Sequence, residues 1–211
     1  MNKASEILIV GAGPAGCSVA LFLSKMGIGS TLVDKEKFPR DKICGDALSG
    51  KAVEVLNKLD KTYVGELNRN VHFLGSWGVS FVAPNGEKLR VPFRTKKENA
   101  MPPGFLAKRV DFDNYLFQKV KASSLVHIME ETEIRQYRRE GNEITAETKD
   151  GKTIQAKIVV ACDGAYSGFS KSVAGLSTEP AHNCFGLRAY YEGVQELDNE
   201  NFIELHFIKD M

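Results

Sequence analysis

The stretch EILIVGAGPAGCSVALFLSKMGIGSTLVDK, from Glu6 to Lys35, decides the fold. Its apolar, β-branched run up to Val10 predicts a buried parallel strand. Pro14 suits the first turn of a helix, and apolar residues at helical spacing continue to Met26. The segment STLVDK then predicts a second strand. Strand, helix and strand in this order predict a right-handed β-α-β unit and so an α/β fold.

The turn between the first strand and the helix has the pattern G-x-G-x-x-G. Gly11 permits a tight turn, Gly13 lets a diphosphate approach the backbone, and Gly16 lets helix and strand pack closely. Asp34 ends the second strand 18 positions beyond Gly16, where a carboxylate accepts hydrogen bonds from a ribose 2′-hydroxyl and repels a 2′-phosphate. The pattern predicts a site for an adenine dinucleotide but does not decide which one. The alternative is a glycine turn and a surface acid in an α/β fold that binds no nucleotide.

Composition excludes several classes of protein. The chain has 211 residues, 43% of them hydrophobic, and a net charge of +1. A charge so near zero gives no basic surface for nucleic acid, and no apolar run is long enough to span a bilayer. The cysteines and histidines show no metal-ligand spacing, which predicts a reduced, cytoplasmic protein without a metal site.

Periodicity and turn residues predict further elements along the rest of the chain. The Asn85–Gly86 pair is a strong signal for a hairpin in a sheet separate from the first unit. The predicted elements are a helix capped by Ser49, a hairpin at Val79–Phe93, a helix at Arg109–Ala122, a meander of strands at Glu133–Arg139, Glu143–Lys149 and Lys152–Ala156, a buried strand at Lys157–Gly164, and long strands in FGLRAYYEGV and NFIELHFI from Phe185 onward.

Four stretches together carry a resemblance to a known family. They are GAGPAG with Asp34, FPRDKICGDALS, RVDFDNYL and VVACDGAYS. On these residues the chain resembles the FAD-dependent oxidoreductases of the para-hydroxybenzoate hydroxylase fold, and it looks most like their geranylgeranyl reductase branch. The last stretch departs from the family pattern at Ala161 and Cys162, and Ser170 stands where the family has a basic residue.

The resemblance implies a fold and a division into domains. We expect an α/β protein with a Rossmann-like FAD-binding domain, built on a parallel sheet and a three-stranded β-meander, together with part of a β-rich substrate domain. The FAD-binding domain is expected at residues 1–70 and 95–180, and the partial substrate domain at 71–94 and 181–211. Because the sequence stops directly after a predicted strand, we expect a chain truncated at its C-terminus.

The resemblance also implies which residues contact FAD. Cys44 and Gly45 are expected near the flavin ring, although a cysteine here is equally typical of a small buried residue without a redox role. Arg109 is expected on the diphosphate or ribityl chain, and the alternative from spacing is pairing with Asp111 or Asp113. Asp163 is expected either to bond the flavin side chain or to hold its own loop. No catalytic residue or metal ligand is assigned, and the expected cofactor contacts are Gly11, Gly13, Ala15, Gly16, Asp34, Cys44, Gly45, Arg109, Asp163 and Gly164.

The chemistry implied by the resemblance is reduction of isolated double bonds in a prenyl lipid of geranylgeranyl type. NAD(P)H or another reductant would be the electron donor, and a lipid substrate leaves peripheral association with a membrane open. Two alternatives stay open from the sequence. One is a flavin-dependent monooxygenase of an aromatic or lipid substrate, and the other is a dinucleotide-binding fragment without turnover.

Overall fold

The computed structural model describes residues 3–93, 100–177, 179–182 and 184–209. Within these ranges no helix is both long enough and apolar enough to cross a membrane. In chain order the elements are β1 (Lys3–Val10), α1 (Pro14–Lys25), β2 (Ser30–Val33), β3 (Ala47–Leu48), α2 (Gly50–Leu59), α3 (Tyr63–Arg69), β4 (Leu74–Ser76), β5 (Gly78–Val82), β6 (Lys88–Pro92), β7 (Gly104–Leu106), α4 (Arg109–Lys121), β8 (Val126–Met129), β9 (Ile134–Glu140), β10 (Glu143–Thr148), β11 (Thr153–Ala161), α5 (Gly168–Ser172) and β12 (Ile203–His206), with a 3₁₀ turn at Pro180–His182.

The described residues fall into two compact units, each made of two separate pieces of chain. The first unit lies within Met1–Lys42 and Arg109–Gly186, and the second within Ile43–Lys108 and Leu187–Met211.

The first unit contains a six-stranded sheet in the order β8-β2-β1-β11-β10-β9. Strands β8, β2, β1 and β11 run parallel, whereas β10 and β9 are antiparallel to their neighbours. Helix α1 packs against β1, β2 and α4. Because β9, β10 and β11 follow one another as an antiparallel meander, the predicted α/β fold with a parallel sheet and a three-stranded meander is confirmed.

Strand β11 belongs to both parts of this sheet. The sequence predicted separate strands at Lys152–Ala156 and Lys157–Gly164, and this was wrong, because the structure has a single strand at Thr153–Ala161. One edge of β11 pairs with β10 in antiparallel register, and the other edge pairs with β1 in parallel register. The pairing with β10 ends at Ala156, and β11 continues as one strand because it still pairs with β1 up to Ala161.

The core of the first unit is formed by helix faces and fully buried strands. Leu8 and Ile9 are adjacent in β1 and both have 0% exposure, so both faces of that strand are covered. Phe117 and Val120 of α4 are likewise fully buried. Each such side chain stabilises the fold by about 1.5–3 kcal/mol relative to an exposed position, so the sheet and its helices form a firm support for the loops at its edge.

The second unit contains two three-stranded sheets, in the orders β3-β7-β4 and β12-β5-β6, together with helices α2 and α3. The predicted hairpin is confirmed, since β5 and β6 pair in antiparallel register around a turn in which Gly86 has a φ of +86°. The predicted helix cap is also confirmed, because the Ser49 hydroxyl accepts a hydrogen bond from the Ala52 N–H at 3.4 Å.

The two units differ from the predicted division of the chain. Residues 43–70 lie in the second unit because α2 packs against α3, β3 and β7, and the predicted boundary at 94/95 lies outside the described residues. The predicted strand in FGLRAYYEGV was wrong, since no strand forms between 185 and 194. Phe185 and Leu187 are each 97% exposed, so these two side chains contribute nothing to a packed strand. The second pattern, NFIELHFI, forms only the short strand β12.

Candidate functional site

The glycine turn between β1 and α1 is closed by backbone on two sides. Gly11 has a φ of +98°, and a Cβ at this position would lie 2.4 Å from the carbonyl oxygen of Cys162. A Cβ on Gly16 would lie 1.8 Å from the Gly11 oxygen. Neither position has room for a side chain, so the close approach of α1 to β1 requires both glycines.

Gly13 has a different environment. It is the N-cap of α1, its φ is −68°, and it gives the helix no side-chain cap. A Cβ here would meet a single atom within 4 Å, Nη2 of Arg40 at 3.4 Å. The fold therefore does not require a glycine at Gly13. The absence of a side chain does leave the N-terminal N–H groups of α1 accessible to a ligand, and that end of a helix favours anions.

A cavity of about 610 Å³ opens beside this turn. All of its lining residues belong to the first unit. Gly16 is buried behind the cavity wall, whereas Cys44 and Gly45 lie in the second unit, so their contact with a cofactor stays a prediction. The structure brings seven of the ten expected contact residues to this cavity: Gly11, Gly13, Ala15, Asp34, Arg109, Asp163 and Gly164.

Asp34 holds the glycine turn in place. Its Oδ2 accepts a hydrogen bond from the Ala12 N–H at 2.6 Å, and its Oδ1 accepts one from the Glu36 N–H at 2.9 Å. Each carboxylate oxygen has a second lone pair and can accept another hydrogen bond. Asp34 can therefore position the backbone of the turn and also accept a hydrogen bond from a ligand hydroxyl in the cavity.

Arg109 forms an ion pair with Asp113 on the same helix. Its Nε and Nη2 donate to the two oxygens of Asp113, each at 2.7 Å, so the pairing expected from spacing is present. Arg40 donates to the same carboxylate from Nη1, also at 2.7 Å. Asp113 has 0% exposure, whereas both arginines line the cavity. Arg40 lies in the stretch FPRDKICGDALS but was not among the expected contacts, because 73 positions of sequence separate it from Asp113.

Asp163 holds its own loop, which was one of its two expected roles. Its Oδ2 accepts a hydrogen bond from the Phe169 N–H at 3.3 Å, at the start of α5. Gly164 beside it has a φ of +85°, and its carbonyl oxygen accepts a hydrogen bond from the Ser167 N–H at 3.1 Å. Both residues line the cavity, so the loop forms part of its wall.

Two thiols near the turn are kept protonated. The Cys17 Sγ donates to the Ala12 oxygen at 3.1 Å, and burial raises the pKa of this thiol far above its ordinary value. Burial and the adjacent Asp163 carboxylate also raise the pKa of Cys162, which lines the cavity. Neither thiol is set up as a nucleophile. Across the described parts of the chain, no group of three or more His, Cys, Asp or Glu side chains could hold a metal ion.

These features fit the adenosine diphosphate part of a dinucleotide. The uncapped N-terminus of α1 and two arginines favour a diphosphate, and the small residues of the turn let it reach the backbone. Asp34 lies at the end of the next strand, where it can accept a hydrogen bond from a ribose hydroxyl.

Comparison with known proteins gives the identity of that dinucleotide. The chain matches the family described as FAD binding domain over residues 4–186. It is 28% identical over 219 residues to the digeranylgeranylglycerophospholipid reductase of Methanococcus vannielii, a match that covers 98% of this chain and 50% of that protein. It is 44% identical over 59 residues to the menaquinone reductase of Mycolicibacterium smegmatis, covering 28% of this chain and 14% of that protein.

A solved structure shows the same fold. A probable FAD-dependent monooxygenase from Pseudomonas aeruginosa superposes with a TM-score of 0.69 at 19% sequence identity, covering 84% of this chain and 47% of that one. The chain spans half the length or less of the relatives named here. With residues 4–186 matched, the chain belongs to the FAD-binding domain family, and FAD is its cofactor.

Proposed function

We propose that the protein is an FAD-dependent oxidoreductase that reduces isolated double bonds in a prenyl lipid of geranylgeranyl type. The observation that carries the substrate class is the similarity, along 98% of this chain, to a digeranylgeranylglycerophospholipid reductase. The observation that carries the redox chemistry is the cavity beside the glycine turn, which fits the dinucleotide of that family.

The residues of the cavity bind and orient the cofactor. The N-terminus of α1 and the two arginines hold the diphosphate, and Asp34 accepts a hydrogen bond from the ribose. Ala15 lies at the same cavity wall and keeps the first helical turn small. Cys44 and Gly45 contact the flavin ring through their backbone, which glycine permits because no Cβ intervenes. When bound and first reduced by two electrons from the electron donor, FAD would supply a hydride to one carbon of the double bond, and a proton would complete the reduction at the other.

The electron donor under this proposal is a nicotinamide nucleotide or another small reductant. A long prenyl lipid partitions into bilayers, so the protein would collect its substrate by peripheral contact with a membrane from the cytoplasm. Under this proposal the first compact unit binds the dinucleotide, and the second unit helps to hold the lipid.

The first experiment is an anaerobic reaction of the FAD-loaded protein. Dithionite reduces the bound flavin, and a geranylgeranyl lipid is then added in detergent. We expect the flavin absorbance near 450 nm to return as the lipid is reduced, with mass spectrometry showing a gain of about 2 Da per double bond. The same lipid with its chain already saturated is the matched control, because it should leave the flavin reduced.

A second candidate is a flavin-dependent monooxygenase, favoured by the fold shared with the Pseudomonas aeruginosa protein. Its signature would be reoxidation of the flavin and an oxygenated product only after air is admitted. A protein that binds FAD but shows neither reaction with either class of substrate would be a binding module without turnover. Colourless protein that does not take up added FAD would contradict all three.

A further inference from the structure

Asp113 is a buried carboxylate with charged partners on two sides. It lies in α4 with 0% exposure and accepts hydrogen bonds from three guanidinium nitrogens, all at 2.7 Å. Two of these nitrogens belong to Arg109, four residues earlier on the same helix, and the third belongs to Arg40. A bidentate pair with Arg109 already neutralises the carboxylate, so Arg40, Arg109 and Asp113 by themselves carry a net charge of +1.

Arg40 is held in one orientation by several contacts. Its Nη1 is bound to Asp113, and its guanidinium carbon lies 5.0 Å from the centre of the Phe38 ring. Its Nη2 lies 3.4 Å from the place that a Cβ on Gly13 would occupy. The guanidinium therefore bridges the buried carboxylate and the N-terminus of α1, and the side chain is only 13% exposed.

Arg40 and Arg109 both line the cavity, and a guanidinium group suits a phosphate oxygen as a partner. The same cavity offers the positive end of α1 to an anion. We propose that Asp113 is a positioning residue for the cofactor: it holds Arg40 against Gly13, in the place where Arg40 meets the diphosphate of the dinucleotide. This inference rests on the proposed function, since it concerns how that cofactor is held.

The sign of the effect distinguishes positioning from simple electrostatics. Asp113 carries the same charge as a diphosphate, so by Coulomb interaction alone its removal should tighten binding. If Asp113 acts by holding Arg40, its removal should weaken binding, because the arginine loses its fixed orientation and a charge-assisted hydrogen bond to the ligand is lost. Asp113→Asn keeps the shape of the side chain and removes the charge.

The experiment measures the dissociation constant of FAD by flavin fluorescence, with urea unfolding to confirm that each variant is folded. We expect Asp113→Asn to weaken FAD binding by about tenfold or more, which corresponds to one charge-assisted hydrogen bond. In an Arg40→Ala background the same change should weaken binding clearly less than in the parent, since only the contact of Asp113 with Arg109 then remains to be lost. Asp111→Asn, on the same helix and outside the cavity, is the matched control and should leave the affinity unchanged.

Equal or tighter binding by folded Asp113→Asn would overturn the inference, and so would an effect of the same size in the Arg40→Ala background. Should Asp113→Asn fail to fold, Arg40→Lys decides the question. A single ammonium cannot reach both Asp113 and the turn, so we expect at least about a fivefold loss, and unchanged affinity would refute the positioning role. Failure of the parent chain to bind FAD would refute the proposed function together with this inference. If the parent chain does bind FAD, the variants test this inference alone.

Discussion

Gly13→Ala separates the requirements of the fold from those of the ligand. The φ of −68° at this position suits any residue, and the added methyl group would meet only Nη2 of Arg40, at an ordinary contact distance of 3.4 Å. Replacing glycine by alanine at an N-cap costs up to about 1 kcal/mol, whereas the stiffer unfolded chain offsets about 0.4–1 kcal/mol of this. We therefore expect the free energy of unfolding of the FAD-free chain to stay within about 1 kcal/mol of the parent value.

The effect on FAD binding should be much larger. The methyl group would stand between the diphosphate and the N–H groups at the start of α1. A hydrogen bond to a charged group contributes about 1.5–3 kcal/mol, and a displaced diphosphate would lose one or two of them. A loss of about 3 kcal/mol corresponds to a rise of roughly 150-fold in the dissociation constant.

The assay is a fluorescence titration with FAD, paired with urea unfolding of the FAD-free chain. Gly29→Ala is the matched control, because its Cβ would make only an ordinary contact of 3.6 Å with the Leu125 oxygen and lies outside the cavity. Binding by Gly13→Ala within about threefold of the parent would show that no ligand lies against this backbone. A fall of more than about 2 kcal/mol in the free energy of unfolding would show that the space beside Gly13 is not open to a methyl group.

Three further predictions concern the fold and its titrating groups. Gly16→Ala should lower the free energy of unfolding by about 2 kcal/mol or more in urea, since its Cβ would clash with backbone at 1.8 Å, and parent-like stability would contradict the packing described. In thiol labelling followed by mass spectrometry, Cys17 should react only after unfolding, because burial raises its pKa, and bound FAD should protect Cys162, which lines the cavity. Rapid labelling of either thiol in the FAD-loaded protein would contradict the described site. Two lysines on α2 lower the pKa of Glu54 to about 2, so the attraction between these lysines and the Glu54 carboxylate should be complete above the ordinary glutamate pKa and be lost as the pH falls through about 2. A midpoint near 4.5 in an NMR titration of this carboxyl group would contradict the prediction.

The sequence predicted the parts of the fold whose signals are local. The glycine turn, the helix after it and Asp34 lie within one short stretch, and the structure places them as the motif requires. The hairpin at Asn85–Gly86 was predictable for the same reason, because a short turn with a glycine at positive φ fixes the register of its two strands. In each case the residues that determine the element are its immediate neighbours in the chain.

The parts that the sequence did not predict depend on partners far away in the chain. Strand β11 continues past Ala156 because β1 pairs along its other edge, which no window around residues 152–164 reveals. The alternating pattern from Phe185 forms no strand, and two of its apolar side chains, Phe185 and Leu187, are 97% exposed. Arg40 was not among the expected contacts, because its orientation depends on the carboxylate of Asp113 on α4. Cys44 and Gly45 were expected at the flavin through the resemblance, and that contact stays a prediction.

The pairing of β1 with β11 also dictates when the cofactor site can exist during protein synthesis. Gly11 turns against the carbonyl of Cys162, and the edge of β1 stays unpaired until Ile154–Ala161 has left the ribosome. At translation rates of about 5–20 residues per second, β1 waits roughly 8–30 s for its neighbour. During that interval the nascent chain exposes the unpaired edge of β1, and the loop after β11 that lines the cavity has yet to be made.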